Sequence, residues 1–155
     1  KFKGWIFRFV SILGDRYTHG HVYDFVKQLS INPKKLKVLG DGNQKKSYLH
    51  VIDCIKAIFI AINKSNKKIN IYNLGTSDFV SVKESIKVIC QTLNVKPKIT
   101  FSGGKRGWVG DSPFIYLSNK KIKSIGWRPR FSIKESLKQT VLYLAKNRWV
   151  FKKRK

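Results

Sequence analysis

Methionine is missing from this sequence, and acidic residues are scarce. Its 155 residues include 8 Asp and Glu against 33 Lys and Arg, which gives a formal net charge of +25. A complete natural chain normally begins with methionine, whereas this one begins Lys1-Phe2-Lys3, so we expect a fragment of a longer protein.

Cysteines and long apolar runs are also few. Cys54 and Cys90 lie far apart within helical patterns, which argues against a disulfide framework or a cysteine metal site. We interpret them as buried free thiols in a reducing, cytoplasmic setting. The most apolar stretch, 51–62, is short and contains Asp53 and Lys56, so we expect no membrane span.

The excess of positive charge favours nucleic acid as a partner, because cations on a protein release counterions from phosphate backbones. The lysines are nevertheless scattered over nearly every predicted element, and no helix-turn-helix, zinc-finger or RNA-motif signature accompanies them. A basic module that binds nucleic acid without catalysis stays the alternative of another class. We predict no metal site, because His19 and His21 lack the helical spacing of zinc pairs.

The sequence does contain alternating strand and helix patterns, which are typical of a layered α/β domain. Apolar runs predict strands at 5–12, 36–39, 47–51, 69–74 and 98–101. Helical spacing predicts a helix that begins near His21 and ends before Pro33, and a short helix at 119–125.

Three further helices are predicted from their starts. Ser81 and Ser132 are each followed three residues later by glutamate, the pattern of a capping box. Asp53 is expected to begin another helix, whose apolar stripe is formed by Ile55, Ile58, Phe59 and Ile62. Periodicity alone therefore predicts an α/β domain and no particular activity.

Five segments, in this order, resemble extended short-chain dehydrogenases that modify nucleotide sugars. They are RFVSILG at 8–14, LKVLGDGNQKKSYLHVID at 36–53, YNLG at 72–75, RGWVGD at 106–111 and IGWRP at 125–129. The chain thus resembles the carboxy-terminal half of the NAD-dependent epimerase/dehydratase family, and the likeness extends over nearly all of it.

The resemblance implies a Rossmann-type fold that binds NAD, together with a smaller α/β domain that binds the substrate. Residues 1–20 and 51–76 would supply the last strands and helix of the Rossmann part. Residues 21–50 and 77–150 would form the nucleotide-sugar domain, and 151–155 a basic tail. In the full-length family we expect a homodimer.

The implied parent activity is that of a UDP-sugar 4-epimerase, with hydride transfer between sugar and NAD. A nucleotide-sugar 4,6-dehydratase, decarboxylase or reductase of the same family is the alternative. The catalytic Tyr-x-x-x-Lys pair and the glycine-rich pyrophosphate turn are expected upstream of the chain. We therefore predict no catalytic residue here, an inactive fragment, and NAD bound mainly by the other half.

The resemblance also implies which residues line the ligand site. Phe9 and Val10 would lie beside the nicotinamide of NAD. Lys46, which stands where relatives commonly have arginine, and Arg106 would clamp the diphosphate from two sides, and Asp111 would orient Arg106. The remaining predicted contacts to the nucleotide sugar are Ser11, His21, Val22, Lys37, Leu39 and Tyr48.

Overall fold

The computed structural model describes residues 2–107, 110, 112 and 114–152. The strands are β1 Gly4–Phe9, β2 Ser11–Leu13, β3 Lys35–Val38, β4 Lys45–Lys46, β5 Tyr48–His50, β6 Ile69–Leu74, β7 Val80–Ser81 and β8 Lys98–Phe101. The helices are α1 His21–Ile31, α2 Val51–Lys64, α3 Val82–Leu93, α4 Lys120–Ser124 and α5 Ile133–Lys146, followed by a 3₁₀ helix at Arg148–Lys152. The mixed α/β class predicted from the sequence is confirmed. None of the described helices is long and apolar enough to cross a membrane.

The described strands associate in pairs. Three pairs are parallel (β1 with β6, β2 with β5 and β3 with β8), whereas β4 and β7 run antiparallel. The strand predicted at 5–12 is divided at Val10, whose amide donates to the carbonyl of Leu74 at 3.2 Å. Val10 is buried against Gly75, so the chain leaves β6 there and joins β5 instead.

Two hydrophobic clusters form the core. The larger one, which we call the helical body, lies between α1, α3, α5 and β3 and includes Val22, Leu36, Ile89 and Leu137. The smaller one, the sheet layer, packs α2 and α4 on β1 and β6 and includes Tyr72, Leu74 and Trp127. Burial of these side chains, at about 25 cal/mol per Å² of apolar surface, is the main stabilising contribution in both.

Helix α2 differs from its prediction at its start. It begins at Val51, and His50 is the N-cap, whose Nδ1 accepts from the amide of Ile52 at 3.3 Å. Asp53 therefore lies in the first turn, where it is fully buried and Oδ2 accepts from the amides of Arg130 and Phe131, both at 2.9 Å. The prediction that Asp53 begins the helix was wrong, because its carboxylate binds the segment before α5 instead.

The inward face of α2 differs in part from the predicted stripe, of which Ile58 packs partly against the sheet layer. Cys54, Ala57 and Ala61 are buried against the sheet, whereas Ile55, Phe59 and Ile62 are between 41% and 61% exposed. The small residues face the strands because they let the helix backbone approach the sheet closely. Trp5 bonds to this backbone, with its indole N–H donating to the carbonyl of Ala61 at 3.2 Å.

Both predicted capping boxes are confirmed. The Ser81 hydroxyl accepts from the amide of Glu84 at 3.1 Å, and the Glu84 carboxylate accepts in return from the amide of Ser81. Ser132 and Glu135 repeat this arrangement at the start of α5. Both described cysteines are free; Cys54 is buried as predicted, and Cys90 is half-buried.

Candidate functional site

A cavity of about 700 Å³ opens between α1 and the strands that follow it. It is large enough for a nucleotide-sized ligand. Its described lining consists of Ser11, Tyr17, His19, Gly20, His21, Asp24, Phe25, Lys27, Gln28, Lys37, Leu39, Gln44, Lys46, Tyr48, Val82 and Gly107. Three lysines against one carboxylate make the described walls positively charged, which suits an anionic ligand.

The first wall is one face of α1. His21, Phe25 and Gln28 recur at helical spacing, so they line the same side of the cavity. His21 lies over Phe25, with ring centroids 5.3 Å apart, and one of its nitrogens hydrogen-bonds to the hydroxyl of Tyr48, with Nδ1 at 3.2 Å. Tyr48 is only 2% exposed, so β5 and the start of α1 hold its hydroxyl in a fixed place.

The loop between β3 and β4 forms the second wall. Gly40 has φ of +81°, a conformation that other residues rarely adopt. A Cβ there would clash with the Gln44 side chain and lie 3.1 Å from the carbonyl oxygen of Arg106. Gly40 therefore lets the loop that follows β8 and carries Arg106, which we call the late loop, lie against the end of β3.

Lys46 connects this wall to the late loop. Its Nζ donates to the carbonyl of Ser112 at 2.9 Å. Gly107 also lines the cavity, whereas Arg106 itself is not among the lining residues. The two predicted diphosphate cations thus come from segments that meet at the cavity. Asp111, predicted to orient Arg106, lies outside the described residues.

The other predicted site residues fall into three groups. Ser11, His21, Lys37, Leu39, Lys46 and Tyr48 line the cavity. Val22 does not line it: it is fully buried in the helical body, one position past His21 and on the other face of α1. Phe9 and Val10 also lie away from the cavity; Phe9 is 46% exposed at the end of β1, and Val10 packs in the sheet layer. Their role beside a nicotinamide stays a prediction.

The backbone amide and carbonyl of Lys37 both hydrogen-bond to the side chain of Gln28. Its amide donates to Oε1 of Gln28 at 3.0 Å, and its carbonyl accepts from Nε2 of Gln28 at 3.1 Å. This pair of bonds fixes the side-chain amide of Gln28 against β3. A nucleotide base that approaches here would meet the Lys37 side chain and the neighbouring Leu39, which is 61% exposed.

Several lining residues carried no recognisable sequence signal. Tyr17 follows a strand in a loop, yet its ring is buried, and burial, followed by the nearby charge of Asp24, raises the pKa of its hydroxyl above the usual tyrosine value. It therefore stays protonated near neutral pH. Gln44 is 5% exposed, and its Oε1 has no hydrogen-bond partner among the described residues. The spacing of Asp24, Lys27 and Gln28 from His21 on α1 could have indicated a shared face.

A tyrosine followed four positions later by a lysine occurs twice in the chain, at Tyr23–Lys27 and at Tyr116–Lys120. Tyr23 is 2% exposed, its ring lies 5.2 Å from that of Phe151, and it does not line the cavity. Tyr116 is half exposed, stacks on Phe114 and is likewise absent from the lining. Neither tyrosine is placed to exchange a proton with a ligand in the cavity.

No group of three or more His, Cys, Asp or Glu side chains is arranged to hold a metal ion in the part of the chain that the structure describes. His19 stacks on Tyr17, with ring centroids 5.5 Å apart, and His21 contacts Tyr48. The two histidines therefore face different partners in the cavity wall.

Comparison with known proteins identifies the family to which this chain belongs. Residues 1–75 match the model of the NAD dependent epimerase/dehydratase family. A putative UDP-glucose 4-epimerase of Methanocaldococcus jannaschii is 30% identical over 146 residues, which are 92% of this chain and 46% of that protein. This chain belongs to the NAD-dependent epimerase/dehydratase family.

Two further relatives represent different activities within the family. The human dTDP-D-glucose 4,6-dehydratase is 28% identical over 152 residues, covering 95% of this chain and 43% of that protein. A crystal structure of a UDP-galactose 4-epimerase superposes with a TM-score of 0.81 at 30% identity, covering 95% of this chain and 47% of the other. The chain therefore spans about half the length of these relatives and has the fold of the matched part of an extended short-chain dehydrogenase.

Proposed function

We propose that this chain supplies the nucleotide-sugar side of an NAD-dependent epimerase/dehydratase, most closely a UDP-sugar 4-epimerase. The observation that carries the proposal is the basic cavity, in which His21, Lys46 and Tyr48 converge from separate elements. A diphosphate is doubly charged and binds best to fixed cations and hydroxyl donors in a partly enclosed site. The archaeal and crystallographic relatives are named for UDP-sugars, which supports a uridine nucleotide.

The proposal assigns a separate role to each of these residues. Lys46 and Arg106 contact the diphosphate, while Ser11, His21 and Tyr48 form hydrogen bonds with phosphate or sugar oxygens. Lys37 and Leu39 flank the base from the end of β3. Val22 does not contact the ligand, but its burial in the helical body fixes the start of α1, which carries His21. Asp111 orients Arg106. Residues 21–50 and 77–150 would form the sugar-nucleotide domain, although Ile122 and Trp127 pack in the sheet layer.

NAD, when bound, supplies the hydride acceptor of the family's reaction. The sequence has no G-x-G-x-x-G turn to bind the dinucleotide pyrophosphate. Phe9, exposed at the end of β1, is the described residue best suited to cover a nicotinamide ring. We therefore propose that residues beyond those of this chain carry most of the NAD site and the proton-transferring tyrosine, and that the chain alone is inactive.

A thermal-shift titration of the purified chain with UDP and UDP-glucose tests the cavity. A ligand that binds only the folded state raises the melting temperature with concentration. Lys46→Ala should weaken UDP-glucose binding roughly 10- to 100-fold, because a hydrogen bond to a charged group contributes about 1.5–3 kcal/mol. Lys46→Arg should retain binding, since a guanidinium is also positively charged and forms paired hydrogen bonds with phosphate oxygens.

Lys34→Ala is the matched control, because Lys34 is exposed and lies outside the cavity. Its titration should match that of the unchanged chain. A shift with dTDP-glucose that exceeds the shift with UDP-glucose would favour the 4,6-dehydratase alternative. Equal shifts in the Lys46→Ala and Lys34→Ala proteins would contradict the assignment of the cavity.

Nucleic acid is the competing ligand, because the chain carries a formal net charge of +25. The same titration with a short DNA duplex separates the two hypotheses. Binding by scattered lysines should disappear as salt is raised and should be insensitive to Lys46→Ala. A shift with DNA alone would replace the sugar-nucleotide proposal by a basic binding module.

A further inference from the structure

Three aromatic rings from two loops lie together on the surface of the molecule. Phe79, Phe114 and Tyr116 are 40%, 47% and 50% exposed. The ring centroid of Phe114 lies 5.4 Å from that of Phe79 and 6.0 Å from that of Tyr116, and the last two planes differ by only 13°. We call this group the aromatic platform. None of its rings is among the described lining residues of the cavity, so the platform is a separate surface.

The segment at 114–116 is held in place although its rings are exposed. Nδ2 of Asn73, on β6, donates to the carbonyl of Ser118 at 3.2 Å. Nδ2 of Asn119 donates to the carbonyl of Gly75 at 2.8 Å. These two bonds attach the segment to the end of β6. Rings that are positioned in advance lose little further conformational freedom when a planar ligand stacks on them.

Lysines border the platform. Nζ of Lys45 lies 4.7 Å from the ring centroid of Phe79. Nζ of Lys123 donates to the hydroxyl of Ser77, two residues before that ring. A carboxylate is also present, and Oδ1 of Asp78 accepts from the amide of Phe79 at 2.8 Å. Exposed lysines continue the border at the start of α4: Lys120 and Lys121.

The combination of ring faces and cations selects the class of ligand. Ring faces alone would also suit a neutral carbohydrate, but the bordering lysines and the formal net charge of +25 favour a polyanion. Among polyanions, nucleic acid has planar bases that stack on aromatic side chains. In a duplex the bases are already stacked on one another, so an unpaired strand is the form that presents their faces.

A lipid surface fits the platform less well. Aromatic side chains that anchor a protein to a bilayer enter its apolar layer. Entry of Phe79 would carry the ammonium group of Lys45, 4.7 Å from its ring, towards that layer. Moving a charge out of water in this way is costly.

We propose that the aromatic platform binds single-stranded nucleic acid. Bases stack on Phe79, Phe114 and Tyr116, and the bordering lysines neutralise the phosphates. The binding is largely independent of base sequence, because every base has a face that can stack. This site goes beyond the proposed function, and the platform and the cavity have no described lining residue in common.

Fluorescence anisotropy with a labelled single-stranded oligodeoxynucleotide of about 12 nucleotides, a length within known site sizes, tests the proposal. We expect the purified chain to bind this strand more tightly than a duplex of the same sequence at equal salt. Phe114→Ala and Tyr116→Ala should each weaken strand binding roughly 5- to 100-fold, because each removes a stacking ring. Tyr116→Phe keeps the ring and should retain binding.

Lys121→Ala tests the electrostatic part of the site. Loss of one phosphate contact should lower the slope of log K against log salt by about 0.7 for a single strand. The preference for a strand over a duplex should persist in this variant, because the three rings are unchanged.

Phe59→Ala is the matched control, because Phe59 is 61% exposed on α2 and lies outside the platform. It should leave strand binding unchanged, and circular dichroism should show that every variant is folded. Equal losses in Phe59→Ala and Phe114→Ala would overturn the proposal. So would a duplex that binds as tightly as the strand, because scattered lysines alone explain that result.

Two further outcomes would also overturn it. If excess UDP displaces the strand, the strand occupies the cavity and not the platform. If vesicles with a phosphatidylserine fraction lose binding in Phe114→Ala while strand binding is unaffected, the platform contacts lipid. Tyr116→Ala should leave the thermal shift with UDP-glucose unchanged, so failure of the platform and failure of the cavity assignment are seen in different measurements.

Discussion

The helical body and the sheet layer bury their apolar residues in different ways. In the helical body, Ile133, Leu137, Val141 and Leu144 on α5 are each at most 3% exposed. They pack against α1 and α3, whose own apolar faces are buried by the same contacts. This region therefore contains a closed core, and its outer helix faces are mainly polar.

The sheet layer is closed on one side only. Trp127 and Ala57 are buried, while eight large apolar side chains on its strands and main helix stay between 37% and 61% exposed: Ile6, Phe9, Ile52, Ile55, Phe59, Ile62, Ile69 and Ile71. An exposed apolar area of this extent marks an interaction surface in a natural protein. The candidate cavity shares Phe25, Tyr48 and Val82 with the closed region, whereas β1, β6 and α2 belong to the open region.

The largest effect that this comparison predicts is a change in the free energy of unfolding. Leu137→Ala removes a fully buried side chain from the helical body and should lower the free energy of unfolding by about 2–5 kcal/mol. Phe59→Ala, in the sheet layer, should change it by less than about 0.5 kcal/mol, because the ring is largely exposed. Urea unfolding of both variants measures the difference. A loss of more than about 2 kcal/mol in Phe59→Ala would mean that α2 is covered in solution.

A second prediction concerns the link between the two regions. Asp53, in α2, accepts from the amides of Arg130 and Phe131, which lead into α5. Asp53→Ala leaves both donors without that acceptor, and we expect a loss of roughly 2–3 kcal/mol. Hydrogen exchange should quicken at residues 130 and 131. Unchanged exchange there would show that the carboxylate does not join the two regions.

Features with local causes could be predicted from the sequence. The capping boxes at Ser81 and Ser132 were found because the serine and glutamate that form each box are three residues apart. Strand β6 and helix α1 were found from apolar periodicity. In the candidate site, Lys46 and Tyr48 were identified from their place in a family signature, and both line the cavity.

Features that depend on tertiary contacts could not be predicted in the same way. The stripe on α2 was recognised, but periodicity does not tell which of two faces meets the sheet, and the small residues Ala57 and Ala61 face it instead. Likewise, Tyr17 and Gln28 line the cavity through contacts with residues distant in sequence or on another element. Val22 was assigned to the site together with His21. Consecutive residues of a helix are rotated by about 100°, so Val22 points into the helical body while His21 lines the cavity.

A smaller effect is expected within the closed region. Ser132→Ala removes the N-cap of α5, whose hydroxyl accepts from the amide of Glu135 at 3.2 Å. The free energy of unfolding should fall by about 1 kcal/mol. Ser124→Ala is the control, because the Ser124 hydroxyl is exposed and only donates to the carbonyl of Lys121. Equal losses in both variants would argue against a stabilising capping box.

The smallest effect is the dependence of stability on pH at the junction of β5 and α2. His50 is 5% exposed, and this burial holds the pKa of its imidazole below the ordinary value. The unfolded chain therefore binds a proton that the folded chain does not, so this contribution to stability is lost as pH falls below about 6.5.

His50→Asn sharpens this prediction, because asparagine is also a good N-cap but does not titrate. The melting temperature of the unchanged chain should fall between pH 7.5 and pH 5.5, and the fall should be smaller in the variant. His19 and His21 are unchanged in the variant, so a difference between the two profiles belongs to His50. If both profiles have the same slope, His50 is not the group that couples α2 to pH, and the cavity histidines become the next residues to replace.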